Sequence, residues 1–359
     1  MAELTGADGP AVPDPNREPI ANGAAYIHWP GVWIGEPPPF RPAPDESLRV
    51  LADEMYRTDL PRGIQVRALR EGRFVFDFRD WPEGRSEGRS PAMDDFDDEV
   101  RRRLRWATLL NAHVACLHTA IRTKEGVAGL RKMAISPYNL FALTNPDSEV
   151  EVASGDPALI HLSEARFPRT YQPGLPPMMD WRHSLRMAIG IETVLESFAL
   201  LRQLLEADDY LDVLTLADLY NRSCKAFEDH DYNLCLITAW AIVENTLQKR
   251  WSRYIEANRK REIGGEFVPF INSKRQDRLT DGDAFTASVI IEVLSLVDLL
   301  PLDLYHDCNT VRKARNGWIH NLAPVDRDTA MTAVSTAEAM LAQVQGVRLQ
   351  AIPVAGLHG

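Results

Sequence analysis

Cysteine is scarce in this sequence, with four in 359 residues and no two close together in the chain. Such scattered positions give no support to a redox dithiol or to a cysteine zinc motif, both of which use closely spaced pairs. We therefore expect reduced thiols buried in the core, at Cys116, Cys224, Cys235 and Cys308.

Long apolar runs are missing as well. The best candidate for a membrane span, TASVIIEVLSLVDLL, is interrupted by Glu292 and Asp298 and is shorter than a crossing requires, so it indicates a buried helix. The first residues, MAELTGADGPAVPDP, have neither the basic nor the apolar region of a secretory signal. These features predict a cytoplasmic protein that does not bind a membrane.

Positive charge is in the minority, because 40 Lys and Arg stand against 51 Asp and Glu, for a formal net charge of -11. This balance argues against a chain that coats nucleic acid over its whole surface. Residues 249–278 are the exception, since they hold nine Lys or Arg and four Asp or Glu. This basic segment favours a local surface for a polyanion.

Sequence patterns divide the chain into four parts. Residues 1–45 contain ten of the 24 prolines, which predicts an extended or disordered lead-in. In residues 46–200, IQVRAL and RFVFDFRDW predict a β-hairpin, and DDFDDEVRRRLRWATLLNAHVACLHTAIRTK predicts a long helix. Residues 208–346 predict an all-α bundle, and residues 347–359 a tail. The expected fold class is α+β, with a mixed N-terminal domain of unknown role.

The periodicity of apolar residues after about Asp180 predicts the helices of this second half. We expect them near residues 180–206, 208–228, 231–259, 284–299, 302–321 and 326–345. Asp326 is a good N-cap for the last helix, because its carboxylate can accept from the first backbone amides.

Two motif-like patterns have better structural explanations. Gly84–Gly88 fits G-x-S-x-G, but it lies in a tandem EGRS repeat with no strand leading into it, so a linker is favoured. His113 and His118 are five residues apart on the predicted long helix and lie about 140° apart around it, so they cannot share a metal. We expect neither a metal nor a cofactor.

The stretch VRKARNGWIHNL, residues 311–322, is the strongest functional candidate. On a helix, a core-facing sector is predicted for Val311, Ala314, Trp318 and Leu322, with Arg315, Asn316 and His320 in a polar arc beside it. Such groups suit RNA cleavage without a metal: a histidine exchanges protons, an arginine binds the phosphate and an amide orients them. A solvated helix face is the alternative.

Arg315-Asn316-Gly317-Trp318-Ile319-His320 resembles the R-N-x-x-x-H form of the R-x4-6-H motif of the HEPN superfamily, the higher eukaryotes and prokaryotes nucleotide-binding domain. DRDTAMTAVSTAEAMLAQV is similar to the final helix of that family, and KAFEDHDYNLCLITAWAIVENTLQKRW to its first helices. Glu244 occupies the position of a glutamate in those helices, where it is expected to support Arg315.

The resemblance implies a homodimeric helical bundle in which both motifs line one cleft. The implied activity is metal-independent endonucleolytic cleavage of RNA that leaves a 2′,3′-cyclic phosphate, in a toxin or an antiviral or stress-defence effector. An antitoxin or defence-system partner is a further expectation. Catalysis is assigned to Arg315, Asn316 and His320, and RNA contacts to Arg312, Lys313, Lys249, Arg250 and Arg253.

Two other interpretations remain open at the level of sequence. Some members of the superfamily are not catalytic, so the domain could be an RNA-binding, nucleotide-binding or assembly module. The motif could also be accidental in a purely structural bundle.

Overall fold

The computed structural model describes residues 21–28, 31–37, 53–84, 95–126, 130–147, 150–151, 187–346 and 348–350. The strands within these ranges are β1 Gly23–Ile27, β2 Val32–Ile34, β3 Glu54–Leu60, β4 Ile64–Leu69, β5 Arg73–Asp77, β6 Phe141–Asn145, β7 Val150–Glu151, β8 Met187–Ile189, β9 Lys260–Ile263 and β10 Glu266–Pro269. The α-helices there are α1 Asp95–Glu125, α2 Ile191–Glu206, α3 Tyr210–Glu228, α4 Tyr232–Ala257, α5 Ser273–Leu279, α6 Ala287–Leu296, α7 Leu302–Asn321 and α8 Arg327–Gln345. The chain is therefore mixed, with an antiparallel sheet in its N-terminal part and helices in its C-terminal part.

The N-terminal sheet has the strand order β3-β4-β5-β1-β6-β7, and every neighbouring pair is antiparallel. The predicted hairpin is confirmed as β4 and β5. The central position of β1 corrects the expectation of an extended lead-in for Gly23–Ile27, and Val32–Ile34 also form a strand, paired in parallel with β8. Much of the predicted lead-in, including residues 1–20 and 38–45, lies outside the described residues.

Apolar side chains explain why β1 takes the central place. Ala24 and Tyr26 belong to the main core on one face of the sheet, whereas Ala25 packs with Val75 and Leu143 on the other. Successive side chains of a strand point to opposite faces of the sheet, so apolar residues at consecutive positions of β1 bury both of its faces. A strand that is buried on both faces belongs in the interior of a sheet.

The predicted long helix is confirmed as α1, and its middle is enclosed by other elements. Almost every side chain from Trp106 to Ile121 is buried, because this helix packs against α2, α3 and the sheet. A helix that is apolar nearly all round must be covered on all sides. His113 and His118 are buried on it with different partners, Tyr26 for the first and His28 for the second, as their divergence predicted.

The C-terminal half contains all six predicted helices. The first begins at Ile191, later than the predicted residue 180, and the others end within a few residues of the predicted limits. Helix α4 packs against α3, α6, α7 and α8. Its N-cap is Asp231, which accepts from the amide of Leu234 at 3.0 Å, and the predicted cap Asp326 accepts from that of Thr329 at 2.8 Å.

One continuous hydrophobic core runs from the sheet through α1 into the C-terminal helices. The predicted tail also begins against this core, since Leu349 is buried and the amide of Gln350 donates to Thr119 Oγ1 at 2.9 Å. All four cysteines are free and buried, as expected. No helix in the described ranges is both long and apolar enough to cross a membrane.

A hairpin and a short helix stand where no element was predicted. β9 and β10 pair across the turn Gly264-Gly265, and α5 follows them. The two glycines have φ of 65° and 88°, values that other residues rarely adopt and that a two-residue hairpin turn requires. This insertion carries much of the basic segment.

Candidate functional site

The RNGWIH motif occupies the last two turns of α7. This helix ends at Asn321, and Leu322 follows with φ 52° and ψ 30°, so that its amide returns to the carbonyl of Trp318. The left-handed residue terminates the helix, and the short connection to Asp326 then leads into α8. The motif therefore lies at the junction between two helices.

Arg315 faces inward more than the sequence suggested. It follows Val311 by one helical turn and Cys308 by two, and those two side chains are buried. The Arg315 side chain is itself half-buried, and its Nη1 donates to Asn316 Oδ1 at 3.0 Å. The structure thus joins the first two motif residues, and the position of Arg315 on the helix continues the line of Cys308 and Val311.

His320 lies on a different side of the helix. It is exposed, and it makes no hydrogen bond or ion pair within the described part of the chain. His320 follows Arg315 by five positions, and this spacing corresponds to about 140° around the helix axis. Asn316 precedes His320 by one turn and shares its side. Within one chain the arginine and the histidine therefore do not converge on a single face.

The other predicted site residues on these helices have separate surroundings. Glu244 is half-buried on α4, but no ion pair or hydrogen bond links it to Arg315 among the described residues. Arg312 donates to Asn309 Oδ1 through two nitrogens, each at 3.3 Å. Lys313 is exposed. The supporting role expected for Glu244 has no contact behind it in this structure.

The predicted core-facing sector of α7 is wrong at two residues. Leu322 is 72% exposed, and Trp318 is only half-buried, although Val311 is buried and Ala314 packs on the core. For Leu322 the reason is that α7 ends at Asn321: its left-handed backbone leaves the helical path, so its side chain does not continue the core-facing sector. Together with Ile319, which is 45% exposed, these residues form an apolar helix end that includes two positions of the motif, Trp318 and Ile319.

The basic residues predicted on α4 are partly engaged by the protein itself. Lys249 pairs with Asp209 at 2.9 Å and Asp212 at 3.1 Å, and this ammonium lowers the pKa of Asp209. Arg250 donates to the carbonyl of Leu299 at 3.0 Å, which places it near the start of α7. Arg253 is exposed.

Arg250 therefore lies at the opposite end of α7 from His320. The start of α7 at Leu302 and His320 are separated by 18 residues, which span about 27 Å along a helix. A ligand that contacted both regions would need to be long.

Comparison of the chain with protein-family models, curated proteins and solved structures found no match. The assignment to a superfamily therefore depends on the motif and on the order of the helices. No group of three or more His, Cys, Asp or Glu side chains with the arrangement of a metal site occurs among the described residues.

Proposed function

We propose that this chain is a metal-independent endoribonuclease of the HEPN type. The observation that carries the proposal is the position of RNGWIH at the end of α7, directly before the connection to the final helix α8. The half-buried Arg315 is fixed by Asn316, and the histidine stands exposed one turn beyond. This arrangement provides a guanidinium held by a hydrogen bond, on Arg315, and an exposed imidazole that can exchange protons, on His320.

The chemistry of RNA cleavage assigns a task to each of these residues. His320 takes the proton of the 2′-hydroxyl or delivers one to the leaving 5′-oxygen, a contribution of roughly 10² to 10⁴ in rate. Arg315 binds the scissile phosphate and stabilises the charge that develops on it. Asn316 orients the guanidinium through the hydrogen bond already present. The products are a 2′,3′-cyclic phosphate and a free 5′-hydroxyl.

A homodimer would complete the site. Because Arg315 and His320 lie on different sides of α7, a cleft that contains both kinds of group is formed most simply between two copies of the helix end. The exposed side chains of Ile319 and Leu322 supply an apolar surface at that place. In the cell we infer a cytoplasmic toxin or antiviral or stress-defence effector, with RNA as substrate and an antitoxin or defence-system partner.

A non-catalytic module that binds RNA or a nucleotide is the second candidate. The observation that favours it is the lack of any hydrogen bond that orients the His320 ring within the described residues. General acid-base catalysis requires a positioned proton donor or acceptor. Such a module would bind RNA without turning it over.

The decisive experiment is incubation of the purified chain with single-stranded RNA in the presence of EDTA. We expect cleavage products that end in a 2′,3′-cyclic phosphate, and we expect His320→Ala to lower the cleavage rate at least about 100-fold without changing RNA affinity. His306→Ala is the matched control, because this second exposed histidine of α7 lies outside the motif. Equal cleavage by wild type and His320→Ala would refute the assignment. Tight binding without cleavage by the wild type would support the module.

A further inference from the structure

Two arginines of the basic segment share one aromatic ring. The guanidinium carbon of Arg261 lies 3.9 Å from the centroid of Phe270, and that of Arg275 lies 4.6 Å from the same centroid. Both arginines are exposed, whereas Phe270 is half-buried and packs on the core. Stacking on an aromatic ring holds a guanidinium in place while its N–H groups stay available at the edges.

Backbone contacts hold each arginine in this position. Arg261 lies on β9 opposite Val268 of β10, so the hairpin register fixes it. Arg275 follows the N-cap Asn272, whose side chain accepts from its amide at 2.9 Å, and Arg275 Nη1 donates to the Phe270 carbonyl at 3.1 Å. The two cations are therefore preorganised by separate elements.

No direct ion pair to this pair of arginines is formed within the described residues. Neither Arg261 nor Arg275 has an ion pair with a carboxylate in the described part of the chain, although Arg259 nearby pairs with Glu256 at 3.3 Å. Exposed Lys260, Lys274 and Arg278 lie close to the pair in the chain, as do the exposed acids Glu262 and Asp277. Two like charges held against one ring repel each other, and phosphate groups bound to the exposed edges of the guanidiniums relieve that repulsion.

We propose that Arg261 and Arg275 form a phosphate-binding platform for single-stranded RNA, on different elements from the motif. The choice of RNA rests on the proposed function, and the geometry suits it because planar guanidiniums bind phosphate oxygens in pairs. The platform belongs to the hairpin and short helix that follow α4 in the chain, whereas the motif lies at the end of α7.

The test is a binding titration of the full chain with a fluorescein-labelled single-stranded oligoribonucleotide that carries 2′-O-methyl groups and so cannot be cleaved. We expect Arg261→Gln with Arg275→Gln to weaken binding about tenfold at about 0.2 M salt. The slope of log affinity against log salt should become shallower by about 1.4, the value for two phosphate contacts on a single strand.

Two controls separate the platform from general charge. Arg57→Gln with Arg101→Gln removes the same charge from exposed arginines on β3 and α1, and it should leave the affinity within about twofold. Phe267→Ala changes an exposed aromatic residue on the opposite face of the hairpin, opposite Glu262, and should also have little effect.

The outcomes distinguish this proposal from the nuclease assignment. Equal loss in the two double variants, or preference of the platform for anionic lipid vesicles over the oligonucleotide, would overturn it. If the platform variant loses RNA binding while the wild type never cleaves RNA, the platform stands and the nuclease assignment fails. If the wild type cleaves RNA but the platform variant binds it as well as the control variant does, the nuclease assignment stands and the platform proposal fails.

Discussion

At the scale of single residues, hydrogen bonds among buried side chains connect the sheet to the helices. The Tyr26 hydroxyl lies 2.7 Å from His113 Nδ1, and His113 Nε2 lies 3.2 Å from Ser197 Oγ. Because the Ser197 hydroxyl donates to the Val194 carbonyl at 2.7 Å, it must accept from the imidazole. His113 is therefore neutral with its proton on Nε2, and Tyr26 donates to Nδ1.

This neutral histidine makes stability depend on pH. Burial lowers the pKa of His113 from 6.5 to about 3, so below pH 6.5 the unfolded chain binds a proton that the folded chain does not. The contribution of His113 to the free energy of unfolding therefore falls by about 1.4 kcal/mol per pH unit on acidification through this window. Burial also raises the pKa of Glu338 to about 7 and of Asp218 to about 6, and these carboxyls have the opposite effect.

A substitution isolates the contribution of the histidine. His113→Leu should be less stable than wild type at pH 7.5, because the Tyr26 hydroxyl loses its partner, and the difference should shrink by about 2 kcal/mol by pH 5. Urea unfolding at several pH values measures it. Ser197→Ala keeps the imidazole, so its deficit should stay nearly constant. A constant deficit for His113→Leu would contradict the assigned protonation state.

At the scale of elements, the sequence predicted long helices well and the short insertion poorly. Helices α3, α4, α7 and α8 each run for about five turns or more, so many apolar positions report their periodicity. The hairpin KREIGGEFVP has strands of four residues, half of them charged, and its strand signal is correspondingly weak. The glycine pair was the available clue, since two glycines between short strands favour a two-residue turn.

Sequence predicted the candidate site only in part as well. The position of the motif on α7 followed from sequence, but the exposure of Leu322 did not, because a helical wheel assumes that the helix continues. The stacking of Arg261 and Arg275 on one ring could not be predicted either, since it depends on how the hairpin returns to α5. Contacts between elements require the tertiary fold.

The start of α4 offers a prediction about one element. Asp231 caps this helix, which packs against four other helices, so loss of the cap should destabilise the bundle. Asp231→Ala should lower the free energy of unfolding by about 1 kcal/mol in urea titration. Asp231→Asn retains a side-chain acceptor and should cost only a fraction of that. Equal losses in the two variants would show that charge, and not the cap, is responsible.

At the scale of the whole molecule, exposed apolar side chains lie near both ends of α7. Ile319 and Leu322 stand at the motif end of α7, whereas Leu296 and Leu302, 81% and 64% exposed, stand near its start. The proposed dimer uses the motif end, because only there would a second copy bring a second set of motif residues to the cleft. Apolar residues that meet across a two-fold axis contribute twice to one interface.

Analytical ultracentrifugation tests this arrangement. Ile319→Gln with Leu322→Asn should shift the chain toward monomer and lower RNA cleavage in parallel, and asparagine tolerates the left-handed backbone at position 322. Leu296→Gln with Leu302→Gln removes similar apolar surface from the other end of α7 and should leave the dimer intact. If only the variant Leu296→Gln with Leu302→Gln dissociates, the dimer interface does not lie at the motif.

The central place of β1 also governs when the sheet can form on a translating ribosome. β1 ends at Ile27, but its neighbour β6 ends only at Asn145, which is 118 residues later. Chain elongation at 5–20 residues per second separates the two by roughly 6 to 24 s. During that interval an apolar strand has an unpaired edge, a state that chaperones protect from aggregation. The nascent chain is therefore most vulnerable before its helical half has been synthesised.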